Sequence, residues 1–453
     1  MTDTPVARDQ EPERYPLSFT QEWYVSMDKG DDHGPFSRRH LIGCTLRITG
    51  HVDLAVLQGA LDDVVERQEL LRTLVVRDAD PPYQQVLPPC PVPLEVRDLS
   101  PAAAGSRNMV LRKLVTETEA GTMSAREVPL LRALLGRFDD RDSALILTVH
   151  HAVSDGWSIQ VLLRDLGAFY AARASGTPAK LAPMRQYREF AEWQRASTPG
   201  DGALKYWAEQ LAGARETVMP NDHEHPDLYS RPYSLHVFAI DADTMAGAAA
   251  LTTATRGTLF TVMLSAIYVL MNQITGYTDV LVPAVTAGRN EPQFHNTVGL
   301  FLNVLPFRTE IGDCPSFRAV VLKTRETFID AIANELPIGV IEQTFPHYAE
   351  SRADRRTSPL LISDTQFPDS GATFPIAEGA TRIGDFGQEE EVSHGVPGGT
   401  EWYLGPASGG ARYGGMHFNR DEFEESTVVS WSAGLTRILA NAVRDPDQDW
   451  RQL

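Results

Sequence analysis

Apolar positions fall along this chain in two alternating rhythms. In "VDLAVLQGALDDVVERQELLRT", Leu54, Leu57, Leu61, Val64 and Val65 recur at three- and four-residue steps, which predicts a helix followed by a strand at "LVV". The run "ALILTV", Ala144 to Val149, has the length and continuity of a buried strand and ends at His150. After Gly156 the helical spacing returns at Ile159, Leu162, Leu166, Phe169 and Tyr170, with Ser154 or Asp155 as the cap. Further on, "TLFTVMLSAIYVLMNQITG" reads as a nearly wholly buried helix, and "DVLVPAVTAGR" as a buried strand ending at Gly288 and Arg289. A Pro and two Gly punctuate "STPGDGA", predicting a linker at 197–203 between a first lobe, 1–196, and a second, 204–453. A weakly periodic, Gly-rich stretch from Asp369 to Gly415 includes "GQEEEVSHG", where Glu389, Glu390 and Glu391 suit a solvated loop and His394 alone makes no metal site. No repeat of roughly 20 to 50 residues is present, so solenoids and propellers are excluded and an α/β or α+β architecture follows.

Composition narrows the class. With 453 residues, 42% hydrophobic and 22% charged, the chain has material for two lobes and a cleft, and none of the depletion that marks disorder. A net charge of −19 argues against nucleic acid or an anionic membrane as a generic partner. Cys44, Cys90 and Cys314 are far apart and form no CxxC, so neither a disulfide framework nor a zinc site is indicated. The polar start lacks a signal-type apolar core. The longest apolar stretch, Leu259 to Met271, is interrupted by Thr261 and Ser265 and falls short of the roughly 20 residues a span needs, so a cytoplasmic protein is expected.

The strand-to-helix junction carries the candidate chemistry. "HHAVSDG" has the form HHxxxDG, a combination expected by chance in on the order of one chain per thousand. A bland account is a strand-end His pair with Asp155 as a helix cap. The functional account starts from neutral imidazole, which accepts a proton near pH 7; consecutive residues of an extended chain point to opposite sides, so only one of the pair faces a given cleft. A serine hydrolase fits poorly, because no GxSxG elbow is present and Ser158 lies one helical turn past the loop. Two His and an Asp would supply three zinc ligands, but there is no HExxH.

Six stretches in order resemble the condensation domains of nonribosomal peptide synthetases. "LSFTQEWYV" (Leu17–Val25) resembles SxAQxRxW, and "RQELLRTLV" (Arg67–Val75) resembles RHExLRTxF. "HHAVSDGWS" (His150–Ser158) matches the active-site motif at every fixed position, and "YREFAEWQ" (Tyr187–Gln194) resembles YxDYAxWQ. "VGLFLNVLPFR" (Val298–Arg308) resembles IGxFVNTxxxR, and "RADRRTSPLL" (Arg352–Leu361) resembles RDxSRNPLF. The plainest departure is "ELPIGVIEQ" (Glu335–Gln343), which keeps only Pro337 and Glu342 of a motif like HQDxPFExLV.

The resemblance implies two lobes of chloramphenicol acetyltransferase type set in a V, with the HHxxxDG loop in a tunnel between them. It implies an acyltransferase with no bound cofactor or metal, whose donor acyl group arrives as a thioester on the phosphopantetheine of a carrier protein. His151 is then the catalytic residue, and His150, Asp155, Gly156 and Arg289 support it, with Asp155 pairing with the arginine of the Gly288–Arg289 dipeptide. Gly156 lets the backbone approach the thioester at a helix N-terminus. Trp157, Ser158 and Asn303 are candidates for the tunnel wall or substrate contacts. The single-unit length suggests a free-standing enzyme with a carrier in trans and a diffusible hydroxyl or amine acceptor, as in enediyne antibiotic assembly, with Arg352, Arg355 and Arg356 as weak candidates for docking. A coenzyme A-dependent acyltransferase of the same superfamily and a silent, partner-recruiting domain are the alternatives. Donor, acceptor and bond type, ester or amide, are left open by the motifs.

Overall fold

A computed structural model describes residues 13–197, 200–227, 229, 233–364, 372–383, 399–408 and 410–453. Two six-stranded sheets organise it. The first runs Leu94–Asp98, Leu131–Arg137, Asp142–His150, Leu41–Thr49, Gly379–Ile383 and Thr373–Phe374, antiparallel except at its first pair. Leu145, Leu147 and Val149 point into a core shared with the helices Leu54–Arg67 and Gly156–Ser175, while Ala144 and Ile146 pack beneath the helix Arg107–Glu119 with Leu111 and Leu114. Apolar neighbours on both faces explain why this strand reads as a continuous apolar run rather than an alternating one.

The second sheet runs Asn303–Glu310, Asp279–Thr286, Leu360–Asp364, Thr400–Ser408, Ala411–Asn419 and Tyr233–Ile240. The helix Leu259–Thr275, capped by Thr258 and ended by Gly276 in the left-handed region, buries Thr261 through Met271 without a break in the core of this sheet. No single helix among the described residues is long and apolar enough to cross a membrane.

Two expectations change. The stretch 369–415, read as Gly-rich and only weakly periodic, contains the strands Thr373–Phe374, Gly379–Ile383 and Thr400–Ser408 and the first residues of Ala411–Asn419. Its alternation is one-sided: Trp402, Leu404 and Met416 enter the core, whereas Glu401, Tyr403 and Gly415 occupy the other face, so the apolar signal is halved. The segment "GQEEEVSHG", with Glu389, Glu390, Glu391 and His394, lies outside the described residues. The proposed linker is also shorter, since Gly200 caps a helix, Asp201–Gln210, that begins inside it. Cutting the chain at 197–203 divides sequence rather than space, because Gly379–Ile383, from the second half of the chain, pairs with Thr45–Thr49 in the first sheet.

Candidate active site

The strand Asp142–His150 ends in a single tight turn, His151–Val153, before Asp155 caps the helix Gly156–Ser175. The turn gives the two histidines different surroundings. His150 is wholly buried; its Nδ1 accepts the Ala152 N–H at 3.1 Å and its Nε2 lies 3.1 Å from the Ser37 carbonyl, an arrangement that requires the neutral ring protonated on Nε2. Burial pushes its pKa down to about 4. His151 keeps partial exposure. Its backbone N–H donates to the His40 carbonyl at 2.8 Å, and its ring stacks on that of His40 at 4.8 Å and 11°. His151 Nδ1 is enclosed without a hydrogen-bond partner among the described residues, which leaves Nε2 as the nitrogen able to meet a ligand.

Behind the loop sits a closed polar knot. Arg289 Nη2 donates to Asp155 Oδ1 at 3.1 Å and to Ser158 Oγ at 3.0 Å, and Nη1 donates to the carbonyls of Phe294 and Thr297 at 3.0 and 2.9 Å. The guanidinium carbon lies 3.9 Å from the centre of the Phe301 ring, and the Phe301 N–H donates to Asp155 Oδ2 at 3.0 Å. Burial lowers the Arg289 pKa, and the Asp155 carboxylate opposes that shift. Gly288 makes the approach possible: its φ is +59°, and an added Cβ would stand 1.8 Å from the Phe301 carbonyl oxygen. Gly156 is the first residue of the helix beside this knot.

Two candidates for substrate contact turn out otherwise. Ser158 is fully buried, with its hydroxyl taken up by Asp155, Gly299 and Arg289, so it belongs to the knot rather than to a substrate wall. Asn303 is also buried: Nδ2 donates to Glu335 Oε1 at 2.9 Å and to the Leu336 carbonyl at 2.8 Å, while Oδ1 accepts the Ile338 N–H at 2.8 Å. Its amide fastens the start of a strand to the segment 335–338. Trp157 keeps partial exposure and donates Nε1–H to the His295 carbonyl at 3.0 Å.

The other stretches join this frame. Gln68 donates to Asp165 and accepts the Val298 N–H at 2.9 Å, and the buried Tyr187 hydroxyl donates to the Leu300 carbonyl at 2.7 Å. Trp23 Nε1–H donates to Glu342, which also receives Arg352; Arg352 in turn pairs with the buried Glu216 at 2.7 Å. Arg355 and Arg356 face Asp227 and Glu224. All three arginines offered for docking thus have acidic partners.

Three residues escaped the sequence reading. His40 backs the His151 ring, Glu335 collects donors from Thr286, Asn290 and Asn303, and Glu401 stands on the second sheet within electrostatic reach of His151. The first two have no local signal. Glu401 had a faint one in the alternation of "TEWYL".

Known proteins share this fold. The Condensation domain family matches residues 11–361. The crystal structure of SgcC5 from Streptomyces globisporus, in complex with (R)-(-)-1-(2-naphthyl)-1,2-ethanediol and sucrose, is 34% identical, with a TM-score of 0.89 covering 96% of this chain and 100% of that one. A dimodular nonribosomal peptide synthase of Bacillus subtilis is 30% identical over 98% of this chain, which spans only 19% of that synthase. The first condensation domain of the calcium-dependent antibiotic synthetase, 18% identical with a TM-score of 0.77 over 97% of this chain and 99% of that one, shares the fold. With its two-sheet α/β architecture of chloramphenicol acetyltransferase type, its ordered motifs and its HHxxxDG junction, this chain belongs to the condensation-domain family of nonribosomal peptide synthesis.

Proposed function

We propose that this chain is an acyltransferase that moves an aminoacyl or acyl group from the phosphopantetheine thioester of a carrier protein, bound in trans, to a freely diffusing hydroxyl or amine, forming an ester or an amide. The observation that carries the reading is the asymmetry of the histidine pair: one ring is sealed and neutral, and the other, at the end of the strand, is partly exposed with only its Nδ1 enclosed. His151 Nε2 accepts the proton of the attacking hydroxyl or amine as the new bond to the thioester carbonyl forms. Collapse of the tetrahedral species breaks the C–S bond, and the proton passes to the leaving thiolate. The backbone N–H groups at the start of the helix Gly156–Ser175 lie where a developing oxyanion would be favoured. Ser158 is spent on the Asp155–Arg289 knot, which supports direct attack without an acyl-enzyme intermediate. The aryl ethanediol held by the SgcC5 crystal structure supports a soluble hydroxyl acceptor.

The test presents one acyl group as carrier thioester, coenzyme A thioester and free acid, each with a panel of soluble alcohols and amines. The carrier form is expected to be used in strong preference, and His151→Ala is expected to lose about 10²- to 10⁴-fold in rate while keeping its fold and carrier affinity. A His151→Ala variant with half the wild-type rate would remove His151 from the chemistry. Equal use of the coenzyme A form would move the chain to the coenzyme A-dependent alternative, and a trapped acyl-enzyme would overturn direct attack.

A further inference from the structure

The face of the second sheet that turns away from its core carries a polar group that the proposed transfer does not use. In the strand Thr400–Ser408, Trp402 and Leu404 are buried in the core, so Glu401 and Tyr403 emerge together on the opposite face. Ser363, on the neighbouring parallel strand, donates its hydroxyl to Glu401 Oε1 at 2.8 Å. On the other side His417 stands opposite Glu401, and its ring lies 5.3 Å from that of Tyr403 at 30°. Gly415 leaves the space this ring occupies: a Cβ there would fall 2.4 Å from Tyr403 Cε1. Glu401 Oε2 has no hydrogen-bond partner among the described residues, and Glu401, Tyr403 and His417 all keep partial exposure.

The carboxylate interacts electrostatically with groups of the first half of the chain. Tyr24 and His151 are both within its electrostatic reach, yet no hydrogen bond joins it to either among the described residues. Burial pushes its pKa up, and the Ser363 hydroxyl and the His151 ring oppose that shift. A carboxylate desolvated on one side, pinned at one oxygen and open at the other is half of an ion pair, and an uncompensated buried charge is costly unless a cation meets it. The aromatic rings of Tyr403 and His417 on the same face suit an alkylammonium better than a hydrated metal ion.

We infer that Glu401 is a specificity-determining residue that receives a primary ammonium group of a substrate across the site from His151. This rests on the acyl-transfer reading for the identity of the substrate, and the ammonium belongs either to an amino acid donor or to an acceptor that carries an amine besides its nucleophile.

Two measurements test it. In turnover, carrier-bound donors matched in carbon skeleton, with and without a free amino group, are combined with acceptor alcohols with and without an amine, for wild type and Glu401→Gln. Loss of the amine from one of the two substrates should lower the wild-type kcat/KM at least about tenfold, the worth of a charge-assisted contact, and lower that of Glu401→Gln less than threefold. The arm that shows the loss identifies the source. An amine that matters to wild type in neither arm, or a variant that slows every pair alike, overturns the inference. In binding, calorimetry compares 2-phenylethylamine with 2-phenylethanol on the whole chain. Wild type should prefer the amine at least tenfold, Glu401→Gln should show no preference, and Ser363→Ala should show a reduced one; equal affinity of wild type for both probes overturns the inference. An amine preference in a protein that transfers no acyl group would sink the acyl-transfer reading and leave this one standing.

Discussion

His150 gives the active loop an acid limit. Protonating its ring means placing a charge where no water reaches and breaking the hydrogen bond that Nδ1 accepts from Ala152. The pKa therefore drops from 6.5 to about 4 in the fold. Between those values the unfolded chain binds a proton that the folded chain refuses, so the contribution of His150 to stability is complete above the unfolded pKa, declines as pH falls towards 4, and is gone below it. The span amounts to on the order of 3 kcal/mol. Urea unfolding of wild type and His150→Gln at pH 7 and pH 4.5 should show the larger acid loss in wild type; equal losses would place the acid sensitivity elsewhere. At this scale the HHxxxDG pattern marked out His150, His151 and Asp155, and the family resemblance pointed to the pairing of Asp155 with Arg289 that the structure shows. Ser158 and Asn303 were misjudged because polarity near a motif does not say which way a side chain faces. His40 meets His151 where two strands of the first sheet pair, and Glu401 comes near it from the second sheet; local sequence records neither.

At the scale of elements, two glycines of similar backbone make a controlled comparison. Gly176 ends the helix Gly156–Ser175 with φ +66° and nothing within 4 Å of an added Cβ, whereas Gly288 has φ +59° and the Phe301 carbonyl 1.8 Å from that position. Gly176→Ala should cost only the backbone strain of the left-handed region, about 1 kcal/mol. Gly288→Ala must also displace a strand entrance and with it the Arg289 contacts, so a loss above about 3 kcal/mol is expected. Thermal melts of both variants check this, and equal shifts would mean the Phe301 backbone yields without resistance. The long helices and the strands Asp142–His150 and Asp279–Thr286 were readable because each buries a regular apolar pattern. The strands Thr373–Phe374 and Gly379–Ile383 were hidden by short length, and Thr400–Ser408 by polar residues on one face.

For the whole molecule, the decisive feature is that the first core is closed by residues from the second half of the chain. Phe294, Val298, Leu300 and Phe301 pack against Tyr187 and Phe190, and Phe374, Ile376 and Ala380 lie in the same cluster as Leu46 and Leu166. A fragment of residues 1–197 therefore exposes a large apolar surface and lacks the partner of Asp155. It should be insoluble or without fixed tertiary structure, judged by near-ultraviolet circular dichroism and amide exchange. A fragment that unfolds cooperatively on its own would show the two halves to be separable.

The returning strand Gly379–Ile383 also sets the terms for recombination between relatives. A chimera that joins the first half of this chain to the second half of another inherits a foreign edge for its own first sheet, and a foreign loop against its own Asp155 and Tyr187. Crossovers that carry 294–301 and 373–383 along with the first half keep those surfaces matched. If Glu401 sets substrate preference as proposed, exchanging that preference is best sought by transplanting the strand Thr400–Ser408 with its two neighbours, which leaves the HHxxxDG loop in its native frame.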